Sequence, residues 1–211
     1  MEKSKKNKVV RAWVNQQLND PYVQLAQKDG YRSRAAYKLL EIDEEVGLFN
    51  KVKSVVDLGC APGSWSQVAL SKVGPDGIVV GVDLLPIQPM AGLNFIQGDF
   101  TEELTLAALI QAIRGNEVDL VIADLAPNLS GIKDVDQARS AYLTELVLGF
   151  AKSYLKLGGN CVIKVFIGGE FTNLIKVARE IFAQVIVRKP DASRSKSSET
   201  YLLCKNKKNI M

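Results

Sequence analysis

The chain has 211 residues, of which 47% are hydrophobic and 24% charged, the balance of an ordinary globular domain. It contains no histidine, which excludes a Ser-His-Asp triad, a Cys-His pair and every metal site built on imidazole. Acid–base work must then fall to carboxylates, lysines or tyrosines. The three cysteines, Cys60, Cys161 and Cys204, lie in separate apolar runs without a Cys-x-x-Cys, and read as buried reduced thiols. The N-terminus, Glu2 to Lys8, is charged with no long apolar stretch behind it, so a secretory leader is not expected. No run approaches the roughly 20 apolar residues that span a bilayer. The expected location is cytoplasmic, with no membrane partner.

Lys and Arg number 27 and Asp and Glu 23, a net charge of +4. The distribution is uneven. Residues 1–40 carry nine basic and three acidic groups, and residues 185–211 carry seven and two. The segment between holds eleven basic and eighteen acidic groups. An acidic middle between two basic ends predicts a catalytic core with polyanion-binding flanks, against the alternative of solvated lysine tails.

In chain order, residues 8–19 and 22–28 read as short helices parted by Asp20-Pro21. Ser33 to Val46 follows as a stronger helix capped by Ser33 and stopped by Gly47. From residue 54 the pattern changes. Short apolar strands are expected at 54–58, 77–83, 93–96, 118–123 and 161–166. Helices alternate with them at 64–72, 101–114 (capped by Thr101), 136–157 (stopped by Gly158-Gly159) and 170–182. Residues 185–188 and 200–204 complete the set with two strands joined only by a loop. Continuous Val/Ile/Leu runs belong to strands buried on both faces. The expectation is a Rossmann-like α/β fold with a seven-stranded, mostly parallel sheet and helices on both faces. The last strand is antiparallel, because a loop that short cannot make a parallel crossover. One domain over 1–211 is expected, with a basic helical extension to about residue 48 and an α/β core over about 49–206.

Open sheets of this kind bind ligands beyond the carboxyl ends of their strands. Asp57-Leu58-Gly59-Cys60-Ala61-Pro62-Gly63-Ser64-Trp65 follows the first strand. Gly59 and Gly63 would admit a ligand close to the backbone, but the spacing is neither G-x-G-x-x-G nor a P-loop. Asp83 ends the second strand, where a carboxylate accepts from ribose hydroxyls. Asp99 lies past the third, where it would accept from an adenine amino group. Glycine turns and aspartate helix caps explain each element singly. The three together describe a nucleoside site without a phosphate site, which S-adenosylmethionine fits.

The same segment resembles the cofactor motif of the FtsJ-type ribose 2′-O-methyltransferases, Asp-Leu-Gly-(Ala/Cys)-Ala-Pro-Gly-Gly-(Trp/Phe). The similarity extends through Arg32-Ser33-Arg34 with Lys38-Leu39, Asp124-Leu125-Ala126-Pro127-Asn128, Lys164-Val165-Phe166 and Lys189-Pro190-Asp191-Ala192-Ser193-Arg194 with Glu199 and Tyr201. Ser64, where glycine is commoner, and Ile167-Gly168-Gly169 depart from the pattern. The length and the short basic N-terminus are most similar to the bacterial branch acting on 23S ribosomal RNA. The resemblance implies S-adenosylmethionine as cofactor, held by Gly59, Gly63, Trp65, Asp83, Asp99 and Asp124. It also implies 2′-O-methylation of a ribose, expected on a uridine, in RNA of the large ribosomal subunit.

The resemblance further implies a catalytic group of Lys38, Asp124, Lys164 and Glu199, with Lys164 the proton acceptor. The physical expectation agrees: a lysine buried beside a second lysine sheds its proton more readily. Asp124 would orient Lys164, Lys38 would hold the hydroxyl or a neighbouring phosphate, and Glu199 would support the lysines by charge. Arg32, Arg34, Arg194 and Lys196 are the expected phosphate contacts. A sulfonium methyl is already activated, so no metal is required, and a monomer is expected. Two rival readings stay open: a small-molecule O-methyltransferase, and a non-catalytic RNA-binding assembly factor.

Overall fold

The computed structural model describes residues 19–113, 117–127, 130–195 and 197–209. The helix expected over 8–19, the N-terminal lysines, Asn128 and Lys196 lie outside the described residues, apart from Asn19. Two helices open the described chain, α1 (Pro21–Asp29) and α2 (Ala35–Val46). Asp20 caps α1 by accepting from the Tyr22 amide at 3.1 Å, and Gly30 ends it with φ of +76°, the left-handed conformation that glycine adopts without penalty.

Seven strands then build one sheet: β1 (Ser54–Leu58), β2 (Ile78–Asp83), β3 (Leu93–Gln97), β4 (Val118–Ala123), β5 (Leu155–Phe166), β6 (Phe182–Arg188) and β7 (Glu199–Lys207). Their spatial order is β3-β2-β1-β4-β5-β7-β6. The first five are mutually parallel, and β7 runs antiparallel to both β5 and β6. The expected mostly parallel sheet with an antiparallel last strand is what the chain forms, and β7 is inserted between β5 and β6 rather than added at an edge.

Four more helices cover the sheet: α3 (Ser64–Val73), α4 (Glu103–Ala112), α5 (Lys133–Tyr154) and α6 (Phe171–Ile181). Leu39 and Ile42 of α2 and Val68 of α3 pack with Val55, Val79, Leu120 and Val162 on one face. Leu109 of α4, Leu148 of α5 and Ile181 of α6 pack with Val56, Val80, Val121 and Ile163 on the other. Neighbouring strand residues thus alternate between two cores, which is why every position of β1 is buried and its sequence shows no polar alternation.

Three expected boundaries are corrected. The long helix ends at Tyr154, and β5 begins at Leu155. Gly158-Gly159 therefore lies inside a strand, where the register with β4 shifts between the Val118 and Leu120 pairings. A Cβ on Gly159 would lie 3.0 Å from the Lys156 carbonyl and 3.1 Å from that of Asp119, so the glycines serve a bulge and not a helix stop. Helix α2 starts at Ala35, with Ser33 Oγ accepting from the Ala35 amide at 3.2 Å. Helix α4 starts at Glu103, and Thr101 does not cap it.

Candidate active site

The parallel strands end at one level. Leu58 stands beside Val82 of β2 and Ala123 of β4, and Asp83 beside Gln97 of β3. The turns that follow therefore converge on a cleft of about 690 Å³, within the range of small-molecule sites. Gly59 and Ala61 line it from the turn after β1, Asp83 and Leu84 from the end of β2, Asp99 and Phe100 from beyond β3, and Asp124 from beyond β4. Arg139 and Tyr142 of α5 form its outer side. Four of the expected cofactor residues, Gly59, Asp83, Asp99 and Asp124, are brought together here.

Their settings fit a nucleoside. Asp83 Oδ2 accepts from the Ala61 amide and Oδ1 from the Leu85 amide, each at 2.8 Å. Two backbone donors fix the carboxylate plane, and each oxygen keeps a lone pair for a ribose hydroxyl. Asp99 Oδ1 accepts from the amide and the hydroxyl of Thr101 at 2.9 and 2.7 Å, an Asx turn that holds its side chain at the cleft. Gly59 has φ of +74°, and a Cβ there would lie 2.0 Å from Leu125 Cδ2. Any other residue there would be strained and would have to displace Leu125.

Two expected cofactor residues are placed differently. The Trp65 ring is 2% exposed; its indole donates to the Ala35 carbonyl at 2.8 Å and lies against Tyr201 with centroids 5.7 Å apart. The side chain is part of the core, and what Trp65 can offer the cleft is its amide in the first turn of α3, where helix donors lack intrahelical partners. At Gly63, with φ of +106°, a Cβ would lie 2.9 Å from both Arg32 Nη1 and Met90 Cε, so what this residue can offer a cofactor is its backbone.

Beneath the turn, Asp57 is fully buried. Its Oδ2 accepts from Ser66 Oγ at 2.7 Å, while Oδ1 has no hydrogen-bond partner among the described residues. Burial pushes the carboxyl up to about 7, the Ser66 hydroxyl opposing the rise and the negative charges of Asp124 and Asp83 adding to it. The same burial pushes all three cysteine thiols up, which suits the inert role expected of them.

The four residues of the expected catalytic group form one chain of contacts, completed by a fifth. Lys38 Nζ donates to Glu199 Oε1 at 2.6 Å. The Tyr201 hydroxyl lies 3.1 Å from Glu199 Oε1 and 3.1 Å from Asp124 Oδ1. Lys164 Nζ lies 3.1 Å from Asp124 Oδ1 and donates to the Asp124 carbonyl at 2.8 Å. Asp124 is also a cleft residue, so the chain begins at the cofactor site and runs outward. Burial works to raise Glu199, but the Lys38 ammonium, with Lys164 and the Tyr201 hydroxyl, overrides it and holds the carboxyl below its usual range. Burial and then the two flanking carboxylates push Tyr201 far up, so its hydroxyl stays protonated.

Each lysine of the expected pair has a carboxylate partner of its own, and both act on Glu199. Lys38 reaches across to Glu199, and the group facing Lys164 is the Asp124 carboxylate. Tyr201 is the residue that reading by motif left without a role. Alternation along β7 carried the signal, since positions 199 and 201 share one face of the strand.

The expected phosphate contacts divide. Arg34 is tied to the Asp20 carboxylate and to the Ala192 carbonyl. Arg32 donates from Nη1 to the Pro62 carbonyl and from Nη2 to the Pro89 carbonyl, both at 2.9 Å. Arg194, 3.8 Å from Asp20, has a side chain 37% exposed, against 16% for Arg34.

The comparisons fit this geometry. A family model described as FtsJ-like methyltransferase matches residues 31–207. A protein of Methylobacillus flagellatus named ribosomal RNA large subunit methyltransferase E is 51% identical over 97% of this chain and 99% of its own. A protein of the same name from Azoarcus sp. is 55% identical over 94% and 97%. Among solved structures, a Plasmodium falciparum protein assigned as a ribosomal RNA methyltransferase superposes with a TM-score of 0.74 at 31% identity, over 84% of this chain and 98% of that one. Aeropyrum pernix fibrillarin, solved with S-adenosylmethionine bound, shares the fold with a TM-score of 0.53 at 18% identity, over 82% of this chain and 75% of that one.

Proposed function

Because this chain belongs to the FtsJ-like methyltransferase family, we propose that it methylates a ribose 2′-hydroxyl in RNA of the large ribosomal subunit, with S-adenosylmethionine as donor. The observation that carries the reading is the unbroken line of contacts from Lys38 through Glu199, Tyr201 and Asp124 to Lys164, anchored at a cleft shaped for a nucleoside. Gly59, Asp83 and Asp99 would hold the nucleoside part, and the first amides of α3, those of Ser64 and Trp65, would meet the carboxylate of the amino-acid part. Bound there, the cofactor supplies a methyl group that needs no further activation.

The protein's task is then alignment and removal of one proton. Asp124 stands between the cleft and Lys164 and sets the position of the Lys164 ammonium with two acceptors. The methyl carbon would leave sulfur as it bonds the 2′ oxygen, whose proton then becomes strongly acidic and would leave late: Lys164 hands one of its own protons to the Asp124 carboxylate 3.1 Å away and takes the hydroxyl's in its place. Lys164 is the member of the pair that meets the hydroxyl. Lys38, held by Glu199, would hold the adjacent phosphate. The protonated Tyr201 hydroxyl bridges the two carboxylates and keeps both pairs in register. Arg194 and Lys196, with Arg34 behind them and the N-terminal lysines, would carry the RNA backbone across the cleft. The reading includes a uridine target, a single-domain monomer, a cytoplasmic location and no metal requirement.

The test is transfer of a labelled methyl group to large ribosomal subunits and to protein-free large-subunit RNA, with the product nucleoside identified after digestion. A 2′-O-methylribonucleoside is expected. A base-methylated product, or labelling of neither RNA, would overturn the reading.

A further inference from the structure

The segment 30–35, whose two arginines the sequence assigns to RNA, is joined to the cofactor turn by a seam of hydrogen bonds. Gln67 Oε1 accepts from the Arg32 amide at 2.8 Å, and Gln67 Nε2 donates to the Gly30 carbonyl at 3.0 Å. Ser33 Oγ and Ser64 Oγ lie 2.6 Å apart, a contact that exists because residue 64 is serine. At the centre is the Arg32 guanidinium. Its two terminal nitrogens reach two different loops, Pro62 in the turn after β1 and Pro89 in the connection from β2 to β3. Those loops supply neighbouring parts of the cleft lining, Gly59 and Ala61 from the first and Leu84 and Leu85 from the second. The absent side chain of Gly63 makes room for the clamp, since a Cβ would lie 2.9 Å from Nη1. A guanidinium presents several donors in a fixed plane, so it can span two carbonyls that an ammonium would have to choose between.

We propose that Arg32 is a positioning residue for the cofactor: it ties the two cleft-forming loops together and fixes the shape of the nucleoside site, and it does not meet RNA phosphate. The proposal rests on the reading of the cleft as the S-adenosylmethionine site. With one terminal nitrogen on each loop the guanidinium plane is fixed, and drawing it across to a phosphate would break the bridge between the two loops.

The test measures S-adenosylhomocysteine affinity by calorimetry and the salt dependence of binding to large-subunit RNA, for wild type, Arg32→Ala, Arg32→Lys and Arg194→Ala. The expected result is an affinity loss for the nucleoside of about tenfold or more in both Arg32 variants, with lysine failing to restore it because it spans only one loop. The slope of log affinity against log salt for RNA should stay at the wild-type value in both, whereas Arg194→Ala lowers it. Millimolar guanidinium should restore nucleoside affinity to Arg32→Ala and not to Arg194→Ala, a rescue that a general loss of stability would not give. Wild-type nucleoside affinity in Arg32→Lys and Arg32→Ala, or a slope reduced by about one phosphate contact in either, overturns the proposal. Failure of the wild-type protein to bind S-adenosylhomocysteine would instead remove the cofactor reading on which it stands.

Discussion

Lys38 and Glu199, 161 positions apart, meet at 2.6 Å across the seam between α2 and β7. The pair is mostly shielded, with side-chain exposures of 12% and 14%, and Ser193 Oγ adds a third contact to the same carboxylate oxygen at 3.2 Å. The helix that carries Lys38 is thereby fixed to the strand that carries Tyr201, and this end of the site is built from segments far apart in the chain.

That pair predicts an acid limb of stability. Glu199 is held below its usual range in the fold, so its contribution is fully present above the unfolded carboxyl value of about 4.3. It is lost as pH falls through the lower folded value. Glu199→Gln should cost about 1.5–3 kcal/mol at pH 7 and less at pH 3. Urea unfolding at the two pH values checks it, and an equal cost at both would show that the charge of Glu199 does not stabilise the fold.

Asp57 predicts the opposite sign. Its folded value is raised to about 7 by burial, so between the unfolded value of about 3.9 and 7 the folded state binds the extra proton. Stability should therefore decline as pH rises through that window, by up to a few kcal/mol. Asp57→Asn keeps the shape of the protonated acid and should flatten the decline. A variant with the wild-type slope between pH 5 and pH 8 would place the titrating group elsewhere.

Lys164→Ala should lower single-turnover methylation by about 10²–10⁴-fold, the worth of a missing acid–base group, with S-adenosylhomocysteine affinity nearly unchanged because Lys164 does not line the cleft. Lys164→Arg should also be slow, since a guanidinium does not give up its proton. Wild-type turnover in the arginine variant with an unchanged pH profile would make Lys164 an anchor only, and Asp124 the acceptor.

Asp83→Ala should weaken nucleoside binding by about 1.5–3 kcal/mol. It removes the acceptor for ribose and also frees the Ala61 and Leu85 amides that line up both walls. Calorimetry decides: unchanged affinity in the variant would take Asp83 out of the site.

Arg194→Ala should make the salt dependence of RNA binding shallower by about one phosphate contact. The expectation attaches to Arg194 and not to Arg32, because the latter is held by two loop carbonyls at 2.9 Å while the former has its nearest carboxylate, Asp20, 3.8 Å away. Filter binding at several salt concentrations would expose an error if the slope of Arg194→Ala matched wild type.

Much of this was legible without coordinates. A strand buried on both faces shows itself as an uninterrupted apolar run, and a ligand turn as the glycines and carboxylate that follow it. So the positions of Gly59, Asp83, Asp99 and Asp124 at successive strand ends could be read from one dimension. The motifs after β4 and in β5 and β7 brought Lys164 and Glu199 with them by resemblance.

What only the tertiary structure decided is which groups answer each other. Periodicity is a local property: it reports which face a residue takes, and says nothing of what lies opposite. Hence Trp65 reads equally well as a cofactor residue or a core residue until Tyr201 and the Ala35 carbonyl are found around it. Gly158-Gly159 signals a backbone break in either a helix stop or a strand bulge, and pairing with β4 settles which. Arginine in a basic segment promises a phosphate contact, yet Arg32 donates to carbonyls 30 and 57 positions away. The sequence by itself determined the sheet, the cleft edge and the chemistry-bearing side chains. The long-range partners, and with them each charge's role, came from packing, because a buried donor or ion takes whichever acceptor the closed fold leaves beside it.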